Sequence, residues 1–453
     1  MIACAPNGLQ ARNPRRLLPA VMSVAAVLMM PVAAQATTIE RVVSPQGIEA
    51  WLVQEPSVPL IALDFAFRGG ADQDPVNKPG VANMATSLLD EGAGELDSKS
   101  FHERVEAKAI ELNFNATRDQ TTGSLRTLSA HQDEAFELLR LSLTAAHFDP
   151  VDVERIREQL LSGLRRETTS PNEMASQKWW STAFPGHPYG RPVRGSIESV
   201  PTITTADLRD YMKRVFARDT LKIAIVGDVD AATAGKLIDK VFGGLPAKSS
   251  LVSVAEMKPQ GLGQKISIDL DVPQSVLMLG GIGIARNDPD FMAAFVVNHV
   301  LGGGSFSSRL YHEVREVRGL AYSVFSALIP LDHAALFMTG TATRADRTAQ
   351  TLEVLESEIH RLAETGPTED ELVKSKSFLT GSYGLRFDTS GKIAAQLVQI
   401  QIDDLGIDYI EKRNGLVEAV TMADVKRVAK RLLDGGMLVT VVGRPPVTPA
   451  KGG

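Results

Sequence analysis

Leu221-Lys222-Ile223-Ala224-Ile225-Val226-Gly227 and Leu438-Val439-Thr440-Val441-Val442-Gly443 are two apolar runs that each end in glycine, and each reads as a strand. Working back from them, the same signals recur in the same order. Thr204-Thr205-Ala206-Asp207-Leu208 precedes the first run and Val420-Thr421-Met422-Ala423-Asp424-Val425 the second, each with a Thr then an Asp opening a helix. Farther upstream, Asp152 to Arg166 and Glu369 to Tyr383 are long, charged, helix-favouring segments. Before them stand Phe101-His102-Glu103-Arg104-Val105-Glu106 and Tyr311-His312-Glu313-Val314-Arg315-Glu316, both amphipathic. The series begins with strand-like runs at Leu60 to Phe67 and Ser275 to Ile282. Corresponding positions lie about 210 to 220 residues apart, far beyond the 20 to 50 residue periods of solenoids. This is a duplicated domain.

Mixed strands and helices without strict βαβ alternation predict an α+β chain of two homologous α/β domains, each a mixed sheet flanked by helices. Gly, Pro, Lys and Ser accumulate between Gly243 and Gly263. The expected layout is a first domain over 37–245, a linker over 246–262, a second domain over 263–444 and a flexible Pro- and Gly-rich tail over 445–453. A length of 453 residues accords with more than one core.

The first residues are of another kind. Arg12, Arg15 and Arg16 precede the apolar stretch Leu17 to Ala34, which closes in Ala34-Gln35-Ala36. A basic segment, an apolar segment and an A-x-A site predict a secretory signal peptide over 1–36. Sec and twin-arginine routes both stay open, since Arg15-Arg16 alone is weak evidence for the latter. Cleavage after Ala36 changes the formal charge from -6 to -9, because three arginines and no acids leave. It also removes Cys4, the only cysteine, so the mature chain has neither disulfide nor thiol nucleophile. The expected place is the periplasm, with no stable membrane span after cleavage. The acidic balance excludes nucleic acid as a natural partner.

Chemistry is conspicuous by what is missing. The eight histidines form no H-E-x-x-H or H-x-x-E-H, and none lies within five residues of another. Gly302-Gly303-Gly304 is not followed by a phosphate-loop pattern and reads as a turn allowing close backbone approach. Asp90-Glu91 and Asp149-Asp152 read as solvated helix ends.

Four strings taken in order carry a resemblance. They are Arg68-Gly69-Gly70-Ala71; the frame Gly80-x-Ala82 with Gly92; Leu301-Gly302-Gly303-Gly304-Ser305-Phe306-Ser307-Ser308-Arg309-Leu310; and Arg315-Glu316-Val317-Arg318-Gly319-Leu320-Ala321-Tyr322-Ser323-Val324. With the duplication, the chain resembles the inverted-zincin peptidases of the insulinase and pitrilysin type. The likeness is to the short bacterial and mitochondrial-processing-peptidase branch, over roughly residues 38 to 444. The resemblance implies chains or halves pairing as a clam-shell around a substrate chamber. In active members the first domain carries H-x-x-E-H and a distal glutamate ligand. Carried over, the first His falls on Asn83, the Glu on Thr86 and the second His on Ser87. The distal ligand falls near Ser162 or Gly163, with Glu158 and Glu167 flanking it out of register. Asn, Thr and Ser are poor zinc ligands, and Thr86 lacks the carboxylate that activates a water. No metal and no other cofactor is therefore expected on this chain.

In two-chain members, the chain without the motif supplies an Arg and a Tyr, four apart, to its partner's site. Arg318 and Tyr322 match that pair. Were the segment helical, the spacing would set both on one face. The bland reading pairs Arg318 with Glu316 or Glu313 and packs Tyr322 under the sheet. The resemblance thus implies a non-catalytic subunit of a heterodimeric zinc peptidase, with zinc in an H-x-x-E-H partner and oligopeptides or unfolded segments as substrates. The alternative is a structural or peptide-binding protein of the same fold with no peptidase output.

Overall fold

The computed structural model describes residues 38–444. The signal peptide, Cys4 and the 445–453 tail expected from the sequence lie outside them. The first half contains β1 (Glu40–Val43), β2 (Glu49–Gln54), β3 (Leu60–Arg68), α1 (Val81–Thr86), α2 (Ser98–Ala107), β4 (Glu111–Ala116) and β5 (Gln120–Leu128). It continues through α3 (Gln132–Thr144), α4 (Pro150–Glu167), α5 (Pro171–Ala183), α6 (Thr205–Val215), β6 (Lys222–Gly227) and α7 (Ala231–Phe242). Residues 246–262 carry no helix or strand. The second half contains β7 (Lys265–Asp269), β8 (Gln274–Ile282), α8 (Phe291–Asn298), β9 (Ala321–Pro330), β10 (Ala335–Arg344), α9 (Thr348–Thr365) and α10 (Glu369–Gly381). It ends with α11 (Ser390–Ile402), α12 (Tyr409–Glu418), α13 (Met422–Leu433) and β11 (Leu438–Gly443).

Two mixed sheets result, and their strand orders are the same pattern twice. The first runs β1-β2-β6-β3-β5-β4 and the second β7-β11-β8-β10-β9. In each, the closing strand of the half is parallel to one neighbour, β2 or β7, and antiparallel to the other, β3 or β8. The duplication therefore extends to register, with β1 an added edge. Thr204 and Thr421 both form capping boxes, each accepting from the backbone N–H of an Asp whose carboxylate returns to the Thr N–H.

The period of two along the strands divides the sheets into distinct faces. Ile61, Leu63, Phe65 and Phe67 point into the first half's own helices, where Phe65 meets Phe242 edge-on at 5.3 Å and Phe67 stacks on Phe216 at 4.9 Å. Trp51, Val53, Ala66, Ala224 and Val226 point the other way, onto Ala394, Leu397 and Val398 of α11. That helix belongs to the second half. The second sheet mirrors this. Its Leu277, Leu279, Val439 and Val441 face their own helices, whereas Val276, Val442, Met338 and Leu438 face Ala175, Trp179 and Trp180 of α5. The two halves thus exchange one helix each.

Specific hydrogen bonds fix both helices. Trp179 Nε1 donates to the Leu438 carbonyl at 3.0 Å, and Thr440 Oγ1 to the Ala175 carbonyl at 3.2 Å. Gln401 Nε2 donates to the Ile223 carbonyl at 2.9 Å. Burial on both faces explains why Val276 to Gly281 carries no alternating polar residues.

Candidate functional site

Helix α1 and its C-cap residue Ser87 hold the three positions that would carry zinc chemistry. Its N-terminus is fixed by Asp74, whose Oδ2 accepts from the Gly80 N–H at 2.7 Å and Oδ1 from the Ala82 N–H at 2.8 Å. Burial pushes the Asp74 carboxyl up to about 7, against those two donors and Arg191. Gly80 has φ +101°, and a Cβ there would come within 2.8 Å of the Gly195 Cα. The Gly80-x-Ala82 frame is thus a helix start clamped by a buried carboxylate and roofed by the 194–195 backbone.

The side chains that follow are spent on the helix itself. Thr86 is 3 % exposed and donates to the carbonyls of Ala82 at 3.1 Å and Asn83 at 3.0 Å. Ser87 Oγ donates to the Asn83 carbonyl at 2.8 Å. Asn83 offers only an amide, with Oδ1 buried and unpartnered. Helix α4 packs against α1. On it, Gly163 is buried and Ser162 exposed. The guanidinium of Arg194 lies 3.0 Å from where a Gly163 Cβ would be, and Arg194 pairs with Glu167. A cation therefore stands beside the distal ligand position. These residues do not fit a zinc ion: the three motif positions supply no imidazole and no carboxylate, and the Glu167 carboxylate beside the distal position is paired with Arg194. Among the described residues no three His, Cys, Asp or Glu side chains gather into a set that could hold a metal.

Arg318 and Tyr322 lie in the second half, and the segment between them is not helical. A π-helix over Tyr311–Val317 ends at Arg318; Gly319 has φ +58°, and β9 begins at Ala321. The one-face argument for the pair fails for that reason. Nη1 of Arg318 donates to the Glu313 carbonyl at 3.0 Å and to the Glu313 carboxylate. That hydrogen bond holds the Glu313 carboxyl below its ordinary range. Tyr322 is not packed under the sheet: it is 81 % exposed at the start of edge strand β9. Arg315 makes cation–π contacts with both Tyr311 and Tyr322, its guanidinium 4.9 and 4.4 Å from the two ring centroids.

The glycine run also departs from expectation. His299–Gly303 is a π-helical extension of α8, not a turn. Close approach is nonetheless its role, since a Gly302 Cβ would lie 2.8 Å from the Ser326 N. Glu91 is no solvated helix end: it is 8 % exposed, accepts from Ser98 Oγ at 2.6 Å and pairs with Arg155.

Residues 52–196 match the family described as Insulinase (Peptidase family M16), and residues 202–379 the Peptidase M16 inactive domain. This chain belongs to the insulinase peptidase family. It is a member without the zinc-binding residues. It is 26% identical to an uncharacterized zinc protease of Streptomyces coelicolor, over 90% of each chain. It is 27% identical to the non-peptidase homolog YmxG of Helicobacter pylori, over 73% of this chain and 77% of that one. The crystal structure of a peptidase M16 inactive domain from Pseudomonas fluorescens superposes with a TM-score of 0.85 at 28% identity, covering 91% of this chain and all (100%) of the other.

Two residues that shape these candidate positions escape the sequence. Asp74 lies outside the motif string, and only the unused N–H groups at the start of α1 call for such an acid. Arg315 has a faint signal, a cation four residues after Tyr311 on a helical run. Among the described residues no helix is long and apolar enough to cross a membrane.

Proposed function

We propose that this chain is the non-catalytic subunit of a two-chain zinc metallopeptidase, exported to the periplasm and paired there with a homologue carrying H-x-x-E-H. The observation that carries this reading is Tyr322, a tyrosine 81 % exposed on an edge strand, beside Arg318, in a chain whose own zinc positions are spent. A free phenol can donate to a peptide carbonyl or to the oxyanion that develops on it. Nε and Nη2 of Arg318 make no hydrogen bond among the described residues, which leaves donors for a substrate. Paired as a clam-shell, the chains would enclose oligopeptides or unfolded segments and exclude folded proteins. The zinc belongs to the partner.

The test is recovery of the tagged chain from its native periplasmic extract, with assay of peptide cleavage. Chelator-sensitive cleavage that accompanies a second, H-x-x-E-H chain, and is lost with Arg318→Ala while the pair still assembles, is the expected result. Cleavage by this chain alone would overturn the reading.

A structural or peptide-binding role without peptidase output is the second reading. Arg318 already paired with Glu313 favours it, as does likeness to a Helicobacter pylori protein named a non-peptidase homolog. Under it, the purified pair is inert and Arg318→Ala changes nothing.

A further inference from the structure

Arg118 sits at the tip of the hairpin joining β4 and β5, and its side chain crosses to α5, the helix that covers the other half's sheet. Its guanidinium carbon lies 3.5 Å from the centroid of the Trp180 ring. Stacked in this way, a guanidinium has one face covered and its edge, with the N–H groups, presented outward. Nε points at the Tyr189 carbonyl at a long 3.5 Å, and neither Nη group has an acceptor among the described residues.

Two of the acids around it are committed. Asp119 accepts from the Tyr189 hydroxyl and, at 3.0 Å, from the Asp332 N–H. Glu167 is paired with Arg194. Arg118 takes part in no ion pair among the described residues, yet burial is strong enough to push its pKa down to about 10. The charge of Asp119 offsets only part of that loss of water, so Arg118 is a buried cation whose Nη groups have no acceptor among the described residues, an arrangement that an incoming anion relieves.

Space for that anion exists on both sides. Arg118 and Trp180 line a cavity of 1440 Å³ between the halves and a second of 380 Å³ beside the end of α4. Arg191, Ser176, Gln177 and Ser196 line the smaller one, and so do Glu173 and Glu198. One uncommitted arginine with two carboxylates nearby selects against a dianion such as phosphate. A planar, singly charged acceptor matches the guanidinium edge in shape and in charge.

We propose that the smaller cavity is a binding site for a carboxylate held edge-on by Arg118 against Trp180. The source is either the free C-terminus of a short peptide or a small organic acid. The site lies on this chain alone and needs no partner subunit.

The test is calorimetric titration of the mature chain with an N-acetylated tripeptide acid, the same tripeptide as its C-terminal amide, and acetate. The tripeptide acid should bind at least tenfold more tightly than the amide, and Arg118→Gln should weaken it at least tenfold. Arg118→Lys should fall between, because charge is kept while the planar fork is lost. Acetate binding as tightly as the tripeptide acid assigns the site to small acids; much weaker acetate binding assigns it to peptide termini. Both outcomes uphold the site. Equal affinity for acid and amide, undiminished binding in Arg118→Gln, or no binding of any of the three at millimolar concentration overturns it. If Arg118→Gln does not fold, quenching of tryptophan fluorescence in the unmodified chain by the acid but not the amide decides the same question.

Discussion

The guanidinium of Arg315 lies 4.4 Å from the ring centroid of Tyr322 and 4.9 Å from that of Tyr311. The arginine that the sequence pairs with Tyr322 is Arg318, but the one touching it is Arg315. An exposed tyrosine on an edge strand has many orientations, and a cation stacked on its face reduces them. Arg315 is a positioning residue for Tyr322.

Arg315→Met should therefore slow peptide cleavage by the assembled pair by roughly two- to fivefold, since an exposed cation–π contact contributes about 0.5–1 kcal/mol. Steady-state kinetics of the complex checks it. An unchanged kcat with a raised KM would place the stack in substrate binding, and no change in either would remove Arg315 from the site.

Arg318→Ala should cost the pair roughly 10- to 10²-fold in kcat/KM, because a substrate hydrogen bond from a charged donor contributes about 1.5–3 kcal/mol. The fold should not notice, because its ion pair with Glu313 is partly exposed and such pairs contribute about 0–1 kcal/mol. Thermal melts of the isolated variant and turnover of the complex separate the two effects.

Rebuilding the zinc motif should fail if confined to α1. Asn83→His, Thr86→Glu and Ser87→His together leave Arg194 beside the distal position and no ligand at Gly163. Stoichiometric zinc is expected only when Gly163→Glu and Arg194→Ala are added. Metal content after gel filtration distinguishes the triple from the quintuple variant.

Asp64, on β3, has its carboxyl pushed up by burial to about 6 from an ordinary 3.8, with Arg126 opposing. A raised carboxyl pKa favours the protonated form in the folded state. Stability is thus fully present below about pH 4 and falls as pH rises toward 6, by on the order of 2 kcal/mol. Asp64→Asn should flatten that interval. Urea midpoints of the two proteins across pH 4 to 7 would show it.

Trp179→Ala on α5 should destabilise by about 3–5 kcal/mol and Leu397→Ala on α11 by about 2–5 kcal/mol. Although these residues cover different sheets, both should lower one shared melting transition. Calorimetry that resolves two transitions, with each variant moving only one, would contradict the exchange of helices as a coupling device.

The repeat was legible because its signals are local. The Thr and Asp of each capping box, the terminal strands and the long charged helices each declare themselves within a dozen residues. The emptied motif was legible too, because three side chains on one short helix decide it. The exchanged helices were not: α5 and α11 look like ordinary surface-to-core segments, and only a partner sheet far along the chain shows what each covers. Strand β2 was missed for a similar reason, since its parallel neighbour β6 lies some 170 residues away. The condition under which Arg318 and Tyr322 would share a helix face is not met at Gly319, whose positive φ turns the chain from π-helix to strand between them.

The crossing of α5 and α11 also governs movement. Rotating one repeat against the other about residues 246–262 would drag Trp179 from the Leu438 carbonyl and Gln401 from the Ile223 carbonyl. The connecting segment is therefore no hinge, and the two repeats travel as a single lever. In the proposed two-chain assembly, a gate for substrate entry would then lie in the rocking of one whole chain against the other.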